Sequence, residues 1–321
     1  MEPRRTAPSG LRSFLFAPGN HPRKVEKVFG AGADVVILDL EDAVAVAEKE
    51  ATRAVVVAAM QAPRTSLGYI RVNSFETRWC MGDLEAVIGP WLDGIVLPKA
   101  ESAEQLRAVS DHISECERRA GLKAGTLDLM PIVETAKGVE ASAAIAAAGP
   151  RVRRLAFGGG DYTNDLDLTW TVEEHELAYA RARLTHGSRL AGIEPPIDTV
   201  VIQVRDTERF RRSAANGRRM GFAGKLCIHP DQVPPCNEAF TPTRAEVEHA
   251  RAVIRAFEVA EAQGSASIQL DGHFIDYPIV YKAQRVLALV ARVEAGATPA
   301  AQAASPPLAP GTATLAPGYR D

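Results

Sequence analysis

No stretch of about 18 consecutive apolar residues occurs in the 321-residue chain, so no segment reads as a bilayer-spanning helix. The most apolar segment, VEASAAIAAAG from Val139, is short and alanine-rich and reads as a buried helix. Charge of one sign is also missing. Lys and Arg number 37 against 40 Asp and Glu, a net charge of −3. No strong field then draws nucleic acid or an anionic membrane, and an anionic ligand must be held by local basic residues. Cysteine is scarce: Cys80, Cys116, Cys227 and Cys236 form no C-x-x-C and have no zinc-finger spacing with histidine. They read as reduced thiols of a cytoplasmic protein. The opening MEPRRTAPSG carries two arginines but no apolar run after them, so it does not read as a signal peptide. G-x-G-x-x-G is absent, which removes the usual dinucleotide fingerprint, and G-x-S-x-G is absent, which removes the serine nucleophile elbow.

What is present is an alternation. Short apolar, β-branched runs predict strands at Ser13–Phe16, Asp34–Leu38, Tyr69–Val72, Gly94–Leu97, Leu129–Val133, Arg154–Phe157, Leu190–Ile193 and Gly224–Ile228. Their near-continuous hydrophobicity suits parallel strands buried on both faces. Helical patterns fall between them at Arg23–Gly30, Glu48–Met60, Asp83–Ile88, Ala103–Arg119, Lys137–Ala148, Val172–His186 and Thr207–Met220. Eight strands alternating with helices predict an α/β fold, a (β/α)8 TIM barrel, with an open doubly wound sheet as the rival. After the eighth strand the pattern changes to a helix at Thr243–Ala262, a β-like piece at Ser267–Leu270, an Asp271-Gly272 turn and a helix at Pro278–Glu294. The expected organisation is a barrel over 11–235, a C-terminal helical extension over 236–294 and an Ala/Pro-rich disordered tail over 295–321.

Barrel active sites lie at the carboxyl ends of the strands. The polar residues there are Asp39, Glu41 and Asp42 after the second strand, and Arg71 with Asn73 at the third. Lys99 follows the fourth, Glu134 the fifth, Gly158-Gly159-Gly160-Asp161 the sixth and His229 the eighth. Crowded carboxylates repel one another, and a hard divalent cation relieves that. Glu134 and Asp161 come from adjacent strands at matching ends, which suits such an ion; each could equally cap the helix that follows. Arg71 could hold an anionic substrate or simply pair with Asp39, Glu41 or Asp42. The glycine triplet could let backbone approach a ligand or make a turn. His229 reads as a structural histidine.

Taken together these stretches resemble the citrate lyase β subunit and the related malyl-CoA and citramalyl-CoA lyases of the HpcH/HpaI aldolase superfamily. The resemblance rests on RSFLFAPGNHPRKVEK at 12–27, DVVILDLEDAV at 34–44, YIRVNS at 69–74 and GIVLPKAES at 94–102. It continues through LMPIVETAKGV at 129–139, LAFGGGDYTNDL at 155–166, GFAGKLCIHPDQV at 221–233 and GHFIDYPIVYKAQRVL at 272–287. It implies Mg²⁺ on Glu134 and Asp161, Arg71 as the catalytic, substrate-side arginine, and Gly159 and Gly160 against the oxo-acid carboxylate. It implies that Asp276 is a catalytic aspartate, otherwise readable as a helix N-cap, delivered to a neighbouring subunit of a homotrimer or hexamer. Coenzyme A, as part of the substrate, falls to Arg23, Lys24, Lys49 and Arg53. One departure is that many relatives read LEDAV-x-P, where this chain reads LEDAVAVAEKE. The implied reaction splits or forms a short β-hydroxyacyl-CoA, with acetyl-CoA and a 2-oxo acid as the other side. The alternatives are a metal-dependent aldolase on free 2-oxo-3-deoxy acids, a citrate lyase β subunit acting on a carrier-protein thioester, and a non-catalytic binding barrel.

Overall fold

The computed structural model describes residues 10–297. Eight parallel strands close into a barrel in chain order: β1 (Ser13–Pro18), β2 (Val35–Asp39), β3 (Leu67–Arg71), β4 (Gly94–Leu97), β5 (Asp128–Val133), β6 (Ala156–Phe157), β7 (Ile197–Asp198) and β8 (Gly224–Cys227). β1 pairs with both β2 and β8, which closes the ring. The barrel expected from the alternation is therefore the one formed.

Side chains alternate in and out along each strand. Phe14, Val35, Ile37, Tyr69, Val96, Met130, Ile132, Ala156 and Leu226 form the buried interior cluster. Their neighbours Leu15, Val36, Leu38, Ile70, Ile95 and Leu129 belong to the larger cluster under the helices. Two residues further along each strand, the inward register reaches Phe16, Asp39, Arg71, Glu134, Gly158 and Ile228. The alternation that builds the core thus delivers the polar residues to one end of the barrel.

The surrounding helices follow their local signals. Ala103–Arg119 matches the expected bounds, and Ser102 with Gln105 forms a capping box at its start. Two expectations need correction, and two helices were not expected. The seventh strand is Ile197–Asp198, whereas Leu190 ends the helix Ala178–Leu190 and is largely exposed. The helix expected at Lys137–Ala148 is two short ones, Ala136–Glu140 and Ser142–Ala146. Helices at Gly159–Asp165 and Val233–Phe240 were hidden by their Gly-Gly and Pro-Pro starts.

Beyond the barrel, Arg244–Ala262 begins at a Thr243–Glu246 capping box. A hairpin follows, β9 (Ile268–Leu270) against β10 (His273–Ile275). Its turn places Asp271 at φ 49° and Gly272 at φ 79°, the left-handed pair such a tight turn demands. The last helix is Tyr277–Ala297. Its Val280 and Ala283 pack with Val253 and Phe257 of the preceding helix and Ile275 of β10, a cluster separate from the barrel core. Phe274 and Tyr281 on this extension are exposed. The tail expected from 295 lies, past Ala297, outside the described residues, as does the segment 1–9. Among the described residues no helix is long and apolar enough to cross a membrane.

Candidate active site

The carboxyl ends of the strands open into a cleft of about 630 Å³, within the range of small-ligand pockets. Its lining mixes charged and apolar groups. Asp39, Arg71, Glu134 and Asp161 are charged, while Phe16, Ile132, Val200, Leu226 and Ile228 are apolar. Arg23, Lys24 and Lys27, from the helix Pro22–Val28 after β1, add a basic wall.

Arg71 sits at the end of β3 between carboxylates. Its Nε and Nη2 donate to the two oxygens of Asp39, at 2.7 and 2.6 Å. Its Nη1 lies 3.1 Å from Glu41 Oε2 but makes no hydrogen bond to it. Phe16 packs 5.0 Å from the guanidinium. Both sequence readings of Arg71 therefore meet: it is ion-paired, and the pairing fixes one edge while the residue lines the cleft. Burial pushes the Asp39 carboxyl up, but Arg71 and the amides of Glu41 and Ala43 outweigh it and hold Asp39 below its ordinary range.

Glu134 is buried at the end of β5, where its Oε1 accepts from the amide of Lys99 at 2.7 Å. Burial, then repulsion from Asp161 and Glu41, pushes its pKa up to about 8, against the pull of Arg71 and the Lys99 amide. Gly158 is required beside it, because a Cβ there would stand 2.1 Å from Glu134 Oε2. Asp161 lies in the first turn of Gly159–Asp165, with Oδ1 4.0 Å from the Lys99 ammonium. Thus Lys99 touches Glu134 through its backbone and approaches Asp161 through its side chain.

Among the described residues no three His, Cys, Asp or Glu side chains gather as a ready-made metal cage. Two carboxylates with room left for water and ligand oxygens suit Mg²⁺, which retains several waters. A buried carboxyl driven towards its proton by a second carboxylate, with space kept open by glycine, fits a hard divalent cation. Cation and proton then compete for Glu134. Mg²⁺ affinity is expected to tighten about tenfold per pH unit up to about pH 8 and to level off above it, one proton leaving per ion. Calorimetry across pH, in two buffers of different ionisation heat, reads both the affinity and the proton; a flat profile would count against Glu134 as ligand.

The other expected residues divide. Arg23 and Lys24 line the cleft. Lys49 and Arg53 do not, and both are engaged elsewhere in the chain. Lys49 is buried, and its ammonium donates to Leu40 O, Glu41 O and Asn73 Oδ1 at 3.2, 3.0 and 2.6 Å. Arg53 pairs with buried Asp83 at 2.8 Å. Gly160 lines the cleft, but the amide of Gly159 is already donated to Thr199 Oγ1 at 2.7 Å. Asp276 precedes the last helix, its carbonyl accepting from Ile279 and Val280, and it is not part of the cleft lining. His229 lines the cleft, and its Nδ1 accepts from the Asp231 amide as a cap. Lys27 was missed as a contributor, and Lys99, expected at the rim after the fourth strand, is engaged with Glu41 and Glu134. The turn spacing of Lys24 and Lys27 on one short helix was a readable signal, whereas the reach of Lys99 depends on its backbone conformation.

Comparison with known proteins agrees with this fold. The family model for HpcH/HpaI aldolase/citrate lyase matches residues 12–230. Citrate lyase subunit beta of Leuconostoc mesenteroides subsp. cremoris is 36% identical over 280 residues, 87% of this chain and 92% of the relative. A (3S)-malyl-CoA thioesterase of Cereibacter sphaeroides is 33% identical over 280 residues, 87% of this chain and 94% of the relative. The structure of CitE from Mycobacterium tuberculosis, in complex with magnesium, acetoacetate and coenzyme A, superposes with a TM-score of 0.72 at 26% identity, covering 88% of this chain and 99% of that one. From the closed barrel, the carboxylates at its strand ends and these matches along most of its length, the chain belongs to the HpcH/HpaI aldolase/citrate lyase family.

Proposed function

We propose that this carbon–carbon lyase is Mg²⁺-dependent and acts on a short β-hydroxyacyl-CoA such as citramalyl-CoA or malyl-CoA. It would cleave this thioester to acetyl-CoA and pyruvate or glyoxylate, or form it by Claisen condensation. The observation that carries the reading is the placement of Glu134 and Asp161 around Lys99, in a cleft shared with Arg71.

Glu134 and Asp161 would hold the ion. When bound, it would supply Lewis-acid polarisation of the α-oxygen and carboxylate of the acid half. Arg71, fixed by Asp39, would turn its Nη1, which lies 3.1 Å from Glu41 Oε2, to the oxygen that gains negative charge as the carbon–carbon bond breaks. Gly160, which lines the cleft with Gly158, would face the acid's carboxylate. The apolar lining residues Ile132, Val200 and Leu226 suit a hydrogen or methyl on the acid better than a further carboxylate, which they could not pair. Arg23, Lys24 and Lys27 supply local positive charge for the coenzyme's phosphates. Asp276, carried on the extension 236–294 to the cleft of a neighbouring subunit in a homotrimer or hexamer, would exchange the proton at the thioester's α-carbon. The four thiols are buried and unpaired, in keeping with action in the cytoplasm.

The test is turnover of citramalyl-CoA and malyl-CoA with Mg²⁺ and with chelator, following acetyl-CoA and 2-oxo acid together. Metal-dependent, equal release of both is expected. Preference between the two thioesters, which differ by one methyl, is expected at about 10–200-fold. Free coenzyme A and malate without acetyl-CoA would point instead to thioester hydrolysis, the activity in the name of the Cereibacter relative. Turnover confined to a carrier-protein thioester would also overturn the proposal.

A further inference from the structure

Lys99 follows β4 in the left-handed backbone region, at φ 50°. A residue with a side chain holds that conformation where its surroundings over-determine it. Here the conformation turns the Lys99 amide onto Glu134 Oε1 at 2.7 Å. It also carries the ammonium among three further carboxylates: 2.5 Å from Glu41 Oε1, 3.6 Å from Asp42 Oδ1 and 4.0 Å from Asp161 Oδ1. Glu41 and Asp42 are shared with Arg71. Lys99 and Arg71 are thus the cations set among Asp39, Glu41, Asp42, Glu134 and Asp161.

The geometry points to Lys99 as a positioning residue that tunes this site in opposite directions for its two ligands, weakening the divalent cation and strengthening the oxo-acid anion that follows it. The inference rests on the reading that Glu134 and Asp161 hold the cation. A fixed positive charge beside Asp161 opposes a second one arriving there and attracts an incoming carboxylate by the same Coulomb interaction. The backbone contact acts separately, by fixing where Glu134 stands. The proposed consequence is an exchangeable metal and an acid half held partly by protein charge.

Calorimetry on the intact protein separates these effects. Mg²⁺ is titrated alone, and pyruvate is then titrated into Mg²⁺-saturated protein, for wild type, Lys99→Met, Lys99→Asn and Lys99→Arg. Asn tolerates the left-handed backbone, so one neutral variant keeps the local fold accessible. Both neutral variants are expected to bind Mg²⁺ more tightly by on the order of tenfold and pyruvate more weakly by a similar factor. Lys99→Arg is expected to stay near wild type. Weaker binding of both ligands in both neutral variants would reveal a merely structural role and overturn the inference, as would no change in either. If wild type fails to bind Mg²⁺ at all, the two-carboxylate reading itself falls and takes the inference with it.

Discussion

Glu134→Gln is expected to cost the enzyme on the order of 10³-fold or more in Mg²⁺-dependent turnover while making the metal-free protein more heat-stable at alkaline pH. Both effects come from one placement. Glu134 is buried, faces Asp161 and is pushed up to about 8. In the unfolded chain a glutamate titrates near 4.3. A carboxyl whose folded pKa is raised contributes stability that is fully present below the unfolded value. That contribution is lost as pH rises through the folded value. Metal-free wild type should therefore lose stability between about pH 4.3 and 8, by an amount on the order of a few kcal/mol. The amide keeps an oxygen for the Lys99 N–H and carries no charge, so the variant escapes that loss. Thermal melts in chelator at pH 5 and pH 8.5 should show wild type falling by several degrees between the two, with the variant nearly flat. A variant that melts lower than wild type at pH 8.5, with turnover intact, would contradict the placement. Trading stability for a charged, crowded carboxyl is what a functional site does.

Asp276→Ala is expected to lower kcat by about 10²–10⁴-fold, the usual worth of a positioned proton donor, and to leave Mg²⁺ and pyruvate affinity unchanged. Asp276 is half-buried before the last helix and absent from the cleft lining of its own subunit. Its proposed role therefore requires another subunit. Mixing makes this measurable. Asp276→Ala and Glu134→Gln subunits, each nearly inactive alone, should recover activity when dissociated and reassembled together, because mixed oligomers contain clefts with both groups intact. No recovery, in oligomers shown to have mixed, would place Asp276 in a purely structural role at the helix start.

Much of the fold was legible because apolar runs and helical patterns carried it. The helical pattern gave the bounds of Ala103–Arg119, where the structure adds a capping box at Ser102 and Gln105, and the strand ends gave Arg71 and Glu134 their common end of the barrel. The seventh strand was not legible. It is two residues long, and Asp198 within it is buried against Lys225 and Arg181, at 2.7 and 2.9 Å. Its one inward residue is Ile197, and its helix-facing Asp198 sits in an ion-pair network, so the apolar signal is too short to read, and the apolar stretch Leu190–Ile193 at and just past the end of the preceding helix took its place. Lys49 misled for a related reason. Its spacing from Arg53 looked like a basic surface face, but its ammonium is spent on oxygens at the base of the loop after β2. Spacing gives the face of a helix; only the tertiary structure tells whether that face meets water. The family resemblance supplied Asp276, which no local pattern distinguishes from a helix cap.

The account turns on one ion between Glu134 and Asp161, and a crystal grown with Mn²⁺ or Mg²⁺ and pyruvate reads it directly. The expected map places a single metal about 2.0–2.2 Å from an oxygen of each carboxylate, with pyruvate chelating it and Arg71 alongside. A metal bound elsewhere, or those two carboxylates turned apart with pyruvate still present, would contradict the proposed chemistry.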